Sequence, residues 1–184
     1  MTMRKIVSIF VLMVVAIAPA VAQNVETPDR YGMNLEQHNI SWSKVFETDI
    51  PVERLAELAE RKLATTHQND TVVVGRLENH RILNAHRMFT LSKNVVMFDV
   101  RYQFRDGRYK VDVWNIKCKS LISYSNGPFR VEPTWRDISE AFYKSSGKLV
   151  KENTIDLYCT ELSMTFEALC ELEEQDVSPT NDEW

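Results

Sequence analysis

The most suggestive chemistry in this sequence belongs to a run of polar side chains between residues 99 and 112. Asp99, Arg101, Gln103 and Arg105 occupy alternate positions, and so do Arg108, Lys110 and Asp112. Alternate residues of a β-strand share one side of the sheet. Both sets therefore line a common face if the two segments pair, and that face is rich in cations in a chain of net charge −4. If uncovered, it could bind an anionic glycan, a peptide or another protein. The ordinary reading is a solvated face whose charges deter edge-to-edge aggregation. Arg101, Gln103, Arg105, Arg108 and Lys110 are the candidate partner-binding residues.

The remaining reactive side chains do not assemble into a motif. His38, His67, His80 and His86 lack the HExxH spacing or any comparable metal-ligand pattern, and read as solvated histidines. Ser146 precedes Gly147 without the GxSxG elbow that exposes a nucleophile, so that stretch reads as a linker. Cys118 lies between Lys117 and Lys119, but the sequence places no histidine beside it to act as a base. Glu57, Glu60, Glu171 and Glu173 read as charges on exposed helix faces. No glycine-rich phosphate loop is present. The expectation is no catalytic residue, no metal and no cofactor.

Cys118, Cys159 and Cys170 form an odd set, which leaves at least one thiol unpaired within a monomer. Cys159 and Cys170 fall in one expected helix, where a rise of 1.5 Å per residue separates them by roughly 16 Å. A disulfide needs Cα atoms within about 7 Å. The open pairings are therefore Cys118 with either of them, against the plainer reading of three buried thiols packing as small apolar residues.

These residues need elements to position them. Arg4 and Lys5, the apolar stretch Ile6 to Ile17, Pro19, and the small residues Ala20-Val21-Ala22 have the order of a signal peptide cleaved before Gln23. The apolar stretch is shorter than the roughly 20 residues that span a bilayer, so a permanent anchor is not expected. The mature chain is then exported and more acidic still. A nucleic-acid partner is not expected, because phosphate binding needs a basic field.

Residues 23–40 read as a flexible leader. Trp42 to Glu47 reads as a strand. A helix follows from Pro51, with Val52, Leu55, Ala56, Ala59 and Leu63 on its apolar side. Thr71 to Leu77 reads as a strand in which Gly75 marks a bulge or a close approach. Glu78 to Ala85 reads as a turn or loop, and Met88 to Leu91 as the start of a further strand. From Val95 to Lys117 the pattern is a β-hairpin. Val96, Phe98, Val100, Tyr102 and Phe104 alternate with polar residues, Asp106-Gly107 suits a type I′ turn, and Tyr109, Val111 and Val113 return. A two-residue turn sets Phe104 against Tyr109, Tyr102 against Val111 and Val100 against Val113. On the other side it sets Arg101 against Asp112. Asn115 breaks the alternation, which implies either a bulge or a covered second face.

Residues 121–136 read as a loop, Asp137 as the cap of a short helix to Tyr143, and Leu149 to Leu172 as a long helix. The buried stripe of that helix is Ile155, Tyr158, Cys159, Leu162, Phe166, Leu169 and Cys170. Residues 173–184 read as a disordered acidic tail. The sum is one α+β domain over residues 41–172: a small antiparallel sheet in β-α-β-β-β order, helices packed on one face, and a long C-terminal helix.

Trp42 to Phe46, the Leu55/Ala59 helix and above all the segment from Tyr102 through Asp106-Gly107-Arg108-Tyr109 to Val113 resemble an exported Gram-negative domain-of-unknown-function family, number 4468. That family is described as having a fold like the TATA-binding protein. The likeness covers about Ser41 to Lys119, and the Asp-Gly-Arg-Tyr turn is its most specific part. It implies a TBP-like fold and no known activity, catalytic residue or cofactor, and it carries no inference of DNA binding. The expected function is a non-enzymatic binding or structural module of the bacterial periplasm or cell surface. The alternatives are an envelope hydrolase whose site is assembled from residues such as His80, His86 and Cys118, and a homodimeric structural protein.

Overall fold

The computed structural model describes residues 30–36, 39–69, 71–83, 91, 94–120, 124–126, 129–131 and 133–174. The chain runs β1 (Met33–Glu36), β2 (Asn39–Glu47), α1 (Val52–Lys62), β3 (Ala64–Asn69), β4 (Val72–Arg81), β5 (Asn94–Arg105), β6 (Arg108–Ser120), β7 (Tyr124–Asn126), β8 (Phe129–Val131), β9 (Arg136–Asp137), α2 (Ser139–Phe142) and α3 (Glu152–Cys170). The main antiparallel sheet has the order β1-β2-β6-β5-β4-β3, with β9 paired to β6. The fold is α+β, as the sequence implies.

The β5–β6 hairpin adopts the register that its turn dictates. Phe104 pairs with Tyr109, Tyr102 with Val111, Arg101 with Asp112 and Val100 with Val113. Gly107 takes φ +74° in the turn, a conformation that glycine adopts without steric penalty, but Asp106 does not take the positive φ of a type I′ turn, so the register is the expected one and the turn type is not. Phe98, Val100, Tyr102, Tyr109, Val111 and Val113 are all buried on one side. Past Val113 the register shifts between Met97 and Asp99, and Asn115 adopts φ +50°. That bulge restores Ile116 to the core. The break in alternation is thus a bulge in β6, and Val95, on the side opposite Val96, is buried too.

The helices close the apolar side. Phe166 of α3 lies edge-on to Phe98 with ring centroids 4.9 Å apart, and 5.7 Å from Trp42. Trp42 Nε1 donates to Ser163 Oγ at 3.1 Å. At the far end of α3, Tyr102 Oη donates to the carbonyl of Cys170 at 3.1 Å, and the amide of Leu172 donates to Tyr109 Oη at 2.8 Å. Tyr102 thus satisfies a last-turn carbonyl that has no intrahelical partner, and Tyr109 holds the chain just past the helix end. The ordinary acidity of Tyr109 is suppressed by burial, which pushes its pKa up to about 12. Helix α1 buries Leu55, Ala56, Leu58 and Ala59. Gly75 sits beneath its end, where an added Cβ would lie 2.7 Å from Leu63 Cβ and 2.9 Å from the Ala64 carbonyl.

Several expectations need correction. Residues 33–36 and 39–40 are sheet, not leader, because Met33 and Ile40 face the core and pair opposite Trp42 and Leu35. Strand β3, which completes the edge beside β4, is absent from the sequence reading. Glu78 to Arg81 continue β4 across a bulge between Leu77 and His80 rather than forming a loop. Tyr124–Asn126 and Phe129–Val131 pair as a short ribbon within the expected loop. The short helix runs Ser139–Phe142 with Ile138 at its N-cap, and Asp137 belongs to β9, although its Oδ1 accepts from the amide of Ser139 at 2.9 Å. The long helix begins at Glu152 rather than Leu149. Of its expected stripe Ile155, Cys159, Leu162, Phe166 and Cys170 are buried and Tyr158 and Leu169 only partly so, while the polar Glu161, Ser163 and Thr165 are buried as well. Residues 1–29, Met88 to Thr90 and residues 175–184, on which the leader, a further strand and most of the tail were placed, lie outside the described residues.

Candidate functional site

The side of the sheet opposite the helices carries the polar residues of the hairpin. Cross-strand pairing arranges them in rows. Arg76, Asp99 and Trp114 form one, and Val74, Arg101, Asp112 and Ser43 a second. Val72, Gln103, Lys110 and Val45 form a third, and Arg105, Arg108 and Glu47 a fourth beside the turn. All five candidate residues named from the sequence are brought together here.

Two carboxylates organise the middle of this face. Asp99 accepts from Arg76 Nε at 2.6 Å and from Asn115 Nδ2 at 2.8 Å. Asp112 accepts from Arg101 Nη2 at 2.6 Å, from Ser43 Oγ at 3.0 Å, and pairs with Lys110 Nζ at 2.8 Å. Burial opposes ionisation of Asp99. The hydrogen bonds from Arg76 and Asn115 and the charges of Arg76 and Lys117 outweigh it, and the carboxyl stays below its ordinary range. Asp112 behaves alike: burial raises its pKa, and the bonds from Lys110, Arg101 and Ser43 lower it further than burial lifts it. Both acids are therefore committed anions, and the cations around them are neutralised in place.

The row beside the turn is different. Arg105 and Arg108 are exposed and directly opposite each other, and among the described residues neither forms an ion pair. They border a depression of about 540 Å³ whose lining includes Val45, Val72, Gln103 and Lys110. A second depression on the same face, about 390 Å³, is lined by Ser41, Ser43, Arg101, Asp112 and Trp114. This face offers a graded surface: compensated charge in the middle, uncompensated guanidinium groups at the hairpin end.

The remaining reactive groups do not converge. His80 is half-buried in β4, and burial lowers its pKa. It pairs with Val96, which pairs in turn with Cys118, so two strand spacings, roughly 10 Å, separate them. That exceeds the reach of a nucleophile–base hydrogen bond. Burial chiefly, then the carboxylates of Glu140 and Asp137, push the Cys118 thiol up to about 11 despite Arg136. Cys159 rises to about 11 and Cys170 to about 12, both through burial. All three cysteines are free. His38, His86 and the side chain of His67 lie outside the described residues. Among the described residues no cluster of His, Cys, Asp or Glu could hold a metal ion, and no helix is long and apolar enough to cross a membrane. Ser146 and Gly147 lie in the exposed turn before α3.

Sequence reasoning missed Ser43, Val45, Arg76 and Asn115 as members of this face. For Ser43 and Val45 the signal existed: they alternate with Trp42, Lys44 and Phe46 along β2. Arg76 could be found only once β4 is placed in register beside β5.

No family model matches the chain, and no curated protein matches it. Among solved structures it is similar to a DUF4468 family protein from Bacteroides ovatus, with a TM-score of 0.44 and 11% identity over 76% of this chain and 86% of that one. It is also similar to a TBP-like protein from Parabacteroides distasonis, with a TM-score of 0.41 and 12% identity over 76% of this chain and 98% of that one. These descriptions coincide with the family and fold that the hairpin residues resemble.

Proposed function

We propose that this chain is an exported, non-enzymatic binding module of the bacterial periplasm or cell surface, and that its open sheet face is the contact surface. The observation that carries this reading is the asymmetry of the sheet. One side is sealed by α1 and α3 over an aromatic core. The other side keeps half-exposed Arg101 and Lys110 and the exposed Val45 in a continuous polar-apolar pattern. A sheet face of that kind offers fixed side-chain rows to a partner. Export rests on the signal-peptide pattern of residues 4–22, and the non-enzymatic reading on the separation of His80 from Cys118 and the raised thiol pKa.

The test is retention of envelope components by immobilised mature protein. Gln103→Trp places a bulky ring in the middle of the face, whereas Glu57→Trp alters only the exposed side of α1. The expected result is that Gln103→Trp loses components which wild type and Glu57→Trp both retain. Equal retention by all three would overturn the assignment of the face.

A further inference from the structure

Resting on that reading of the face, we infer that the hairpin-end depression is an anchoring subsite for an acidic peptide segment of a partner protein. Arg105 and Arg108 stand directly opposite across β5 and β6. Like charges in that relation repel, because their Cβ atoms are only about 5 Å apart. Nearby acids relieve them only in part: Asp99 and Asp112 are held by Arg76, Asn115, Arg101, Lys110 and Ser43, and Glu47 stands opposite Arg108 alone. Glu47, which pairs with Arg108 across β2 and β6, makes no ion pair with it. Two guanidinium forks present planar donors that match a carboxylate in bidentate fashion. A bound carboxylate would remove the repulsion as well as make new hydrogen bonds.

The rest of the depression points to a peptide rather than a glycan. Its apolar part is aliphatic: Val45 is 49% exposed and Val72 half-buried. The aromatic rings of Phe104 and Tyr109 at the same level are turned into the core and are 3% and 2% exposed. A sugar ring therefore finds no aromatic platform here, whereas aliphatic side chains two residues from a glutamate or aspartate find Val45 and Val72. The Gln103 amide, between them, can both donate to and accept from a peptide backbone. The recognised element is a short run in which acidic and aliphatic residues alternate at every second position, with small polar residues between them. In extended form such a run presents its carboxylates and its aliphatic side chains together on one side.

The experiment titrates a fluorescent ten-residue peptide, with Glu and Val in turn at every second position and Ser between them, into the mature protein at low and at physiological salt, followed by anisotropy. A Gln-for-Glu peptide and inorganic phosphate serve as comparison probes. The expected result is saturable binding of the Glu peptide, at least tenfold weaker for R105Q/R108Q, with the Gln peptide at least tenfold weaker on wild type. Phosphate should compete only at concentrations far above the peptide. A control variant of matched charge, K148Q/K151Q, should change affinity less than twofold, and circular dichroism should show both variants folded. Equal losses in the two variants would reduce the effect to net charge and overturn the subsite. So would tighter competition by phosphate than by peptide, or no binding of the Glu peptide at millimolar concentration. Loss of the subsite with continued Gln103-dependent retention of envelope components would leave the open-face reading intact, and loss of both would remove it as well.

Discussion

At the scale of single residues, Asp112 does the most to set the character of the open face. It gathers Arg101, Lys110 and Ser43, and so turns an otherwise cationic strand pair into a compensated surface. Partner side chains that are nearly half exposed limit what each ion pair contributes. A double-mutant cycle across Arg101 and Asp112 should return a coupling of about 0.5–1 kcal/mol in urea unfolding. A value near zero would show that the pairing is ornamental. Asp99 and Asp112 both have pKa values held below the ordinary aspartate value. Their contribution is therefore complete above the unfolded-state pKa of about 3.9 and is lost as pH falls through the lower folded values. The melting temperature of wild type should drop more steeply from pH 5 to pH 2 than that of D99N/D112N; parallel slopes would contradict the assignment. The thiols act in the opposite sense. With pKa values pushed to about 11, 11 and 12, Cys118, Cys159 and Cys170 should react slowly with a thiol reagent at pH 8 in the folded protein and promptly in guanidinium. A rapid stoichiometric reaction of the native protein would show that the burial assigned to them is wrong.

At the scale of elements, the two glycines of the hairpin region separate two kinds of constraint. Gly107 has positive φ but open space around its missing Cβ, whereas Gly75 has no positive φ and lies against Leu63 and Ala64. Gly107→Ala should cost about 1 kcal/mol through backbone strain alone. Gly75→Ala should cost about 1–3 kcal/mol, because the end of α1 must move away from β4. Phe166→Ala, which empties the contact with Phe98 and Trp42, should cost about 3–5 kcal/mol. A ranking by urea midpoints in which Gly75→Ala is the mildest would contradict the close packing of α1. These elements also show what the sequence makes legible. The β5–β6 hairpin is readable to the residue, since alternation, turn chemistry and the Arg101–Asp112 pair all require one register. Helix α1 and most of α3 follow from apolar spacing. The edge strands do not, because β1, Met-Asn-Leu-Glu, alternates over only four residues, and β3, Ala-Thr-Thr-His-Gln-Asn, has no apolar alternation. They become strands by pairing with β2 and β4. The five site residues share a face because the hairpin is regular; the members contributed by β2 and β4 depend on long-range order that no local pattern encodes.

At the scale of the whole molecule, the sheet separates two surfaces with different tasks. Beneath it, α1 and α3 supply the apolar burial that stabilises the domain, with about 1.5–3 kcal/mol for each large side chain fully removed from water. Above it, charge is arranged rather than buried, with compensation at Asp99 and Asp112 and excess at Arg105 and Arg108. The proposed compartment rests on the leader pattern alone: on that proposal the native protein should begin at Gln23 by mass spectrometry and fractionate with the envelope. A cytoplasmic protein that retains Met1 to Ala22 would remove that compartment and the partners assigned to it. The most direct test of the open face as the contact surface is site-specific photo-crosslinking in living cells. A photoreactive residue is placed in turn at Gln103 on the open face, at Glu57 on α1 and at Met164 on the exposed side of α3. The account predicts discrete crosslinked species from position 103 and none from positions 57 and 164. Crosslinks confined to 57 or 164, with position 103 silent, would contradict it.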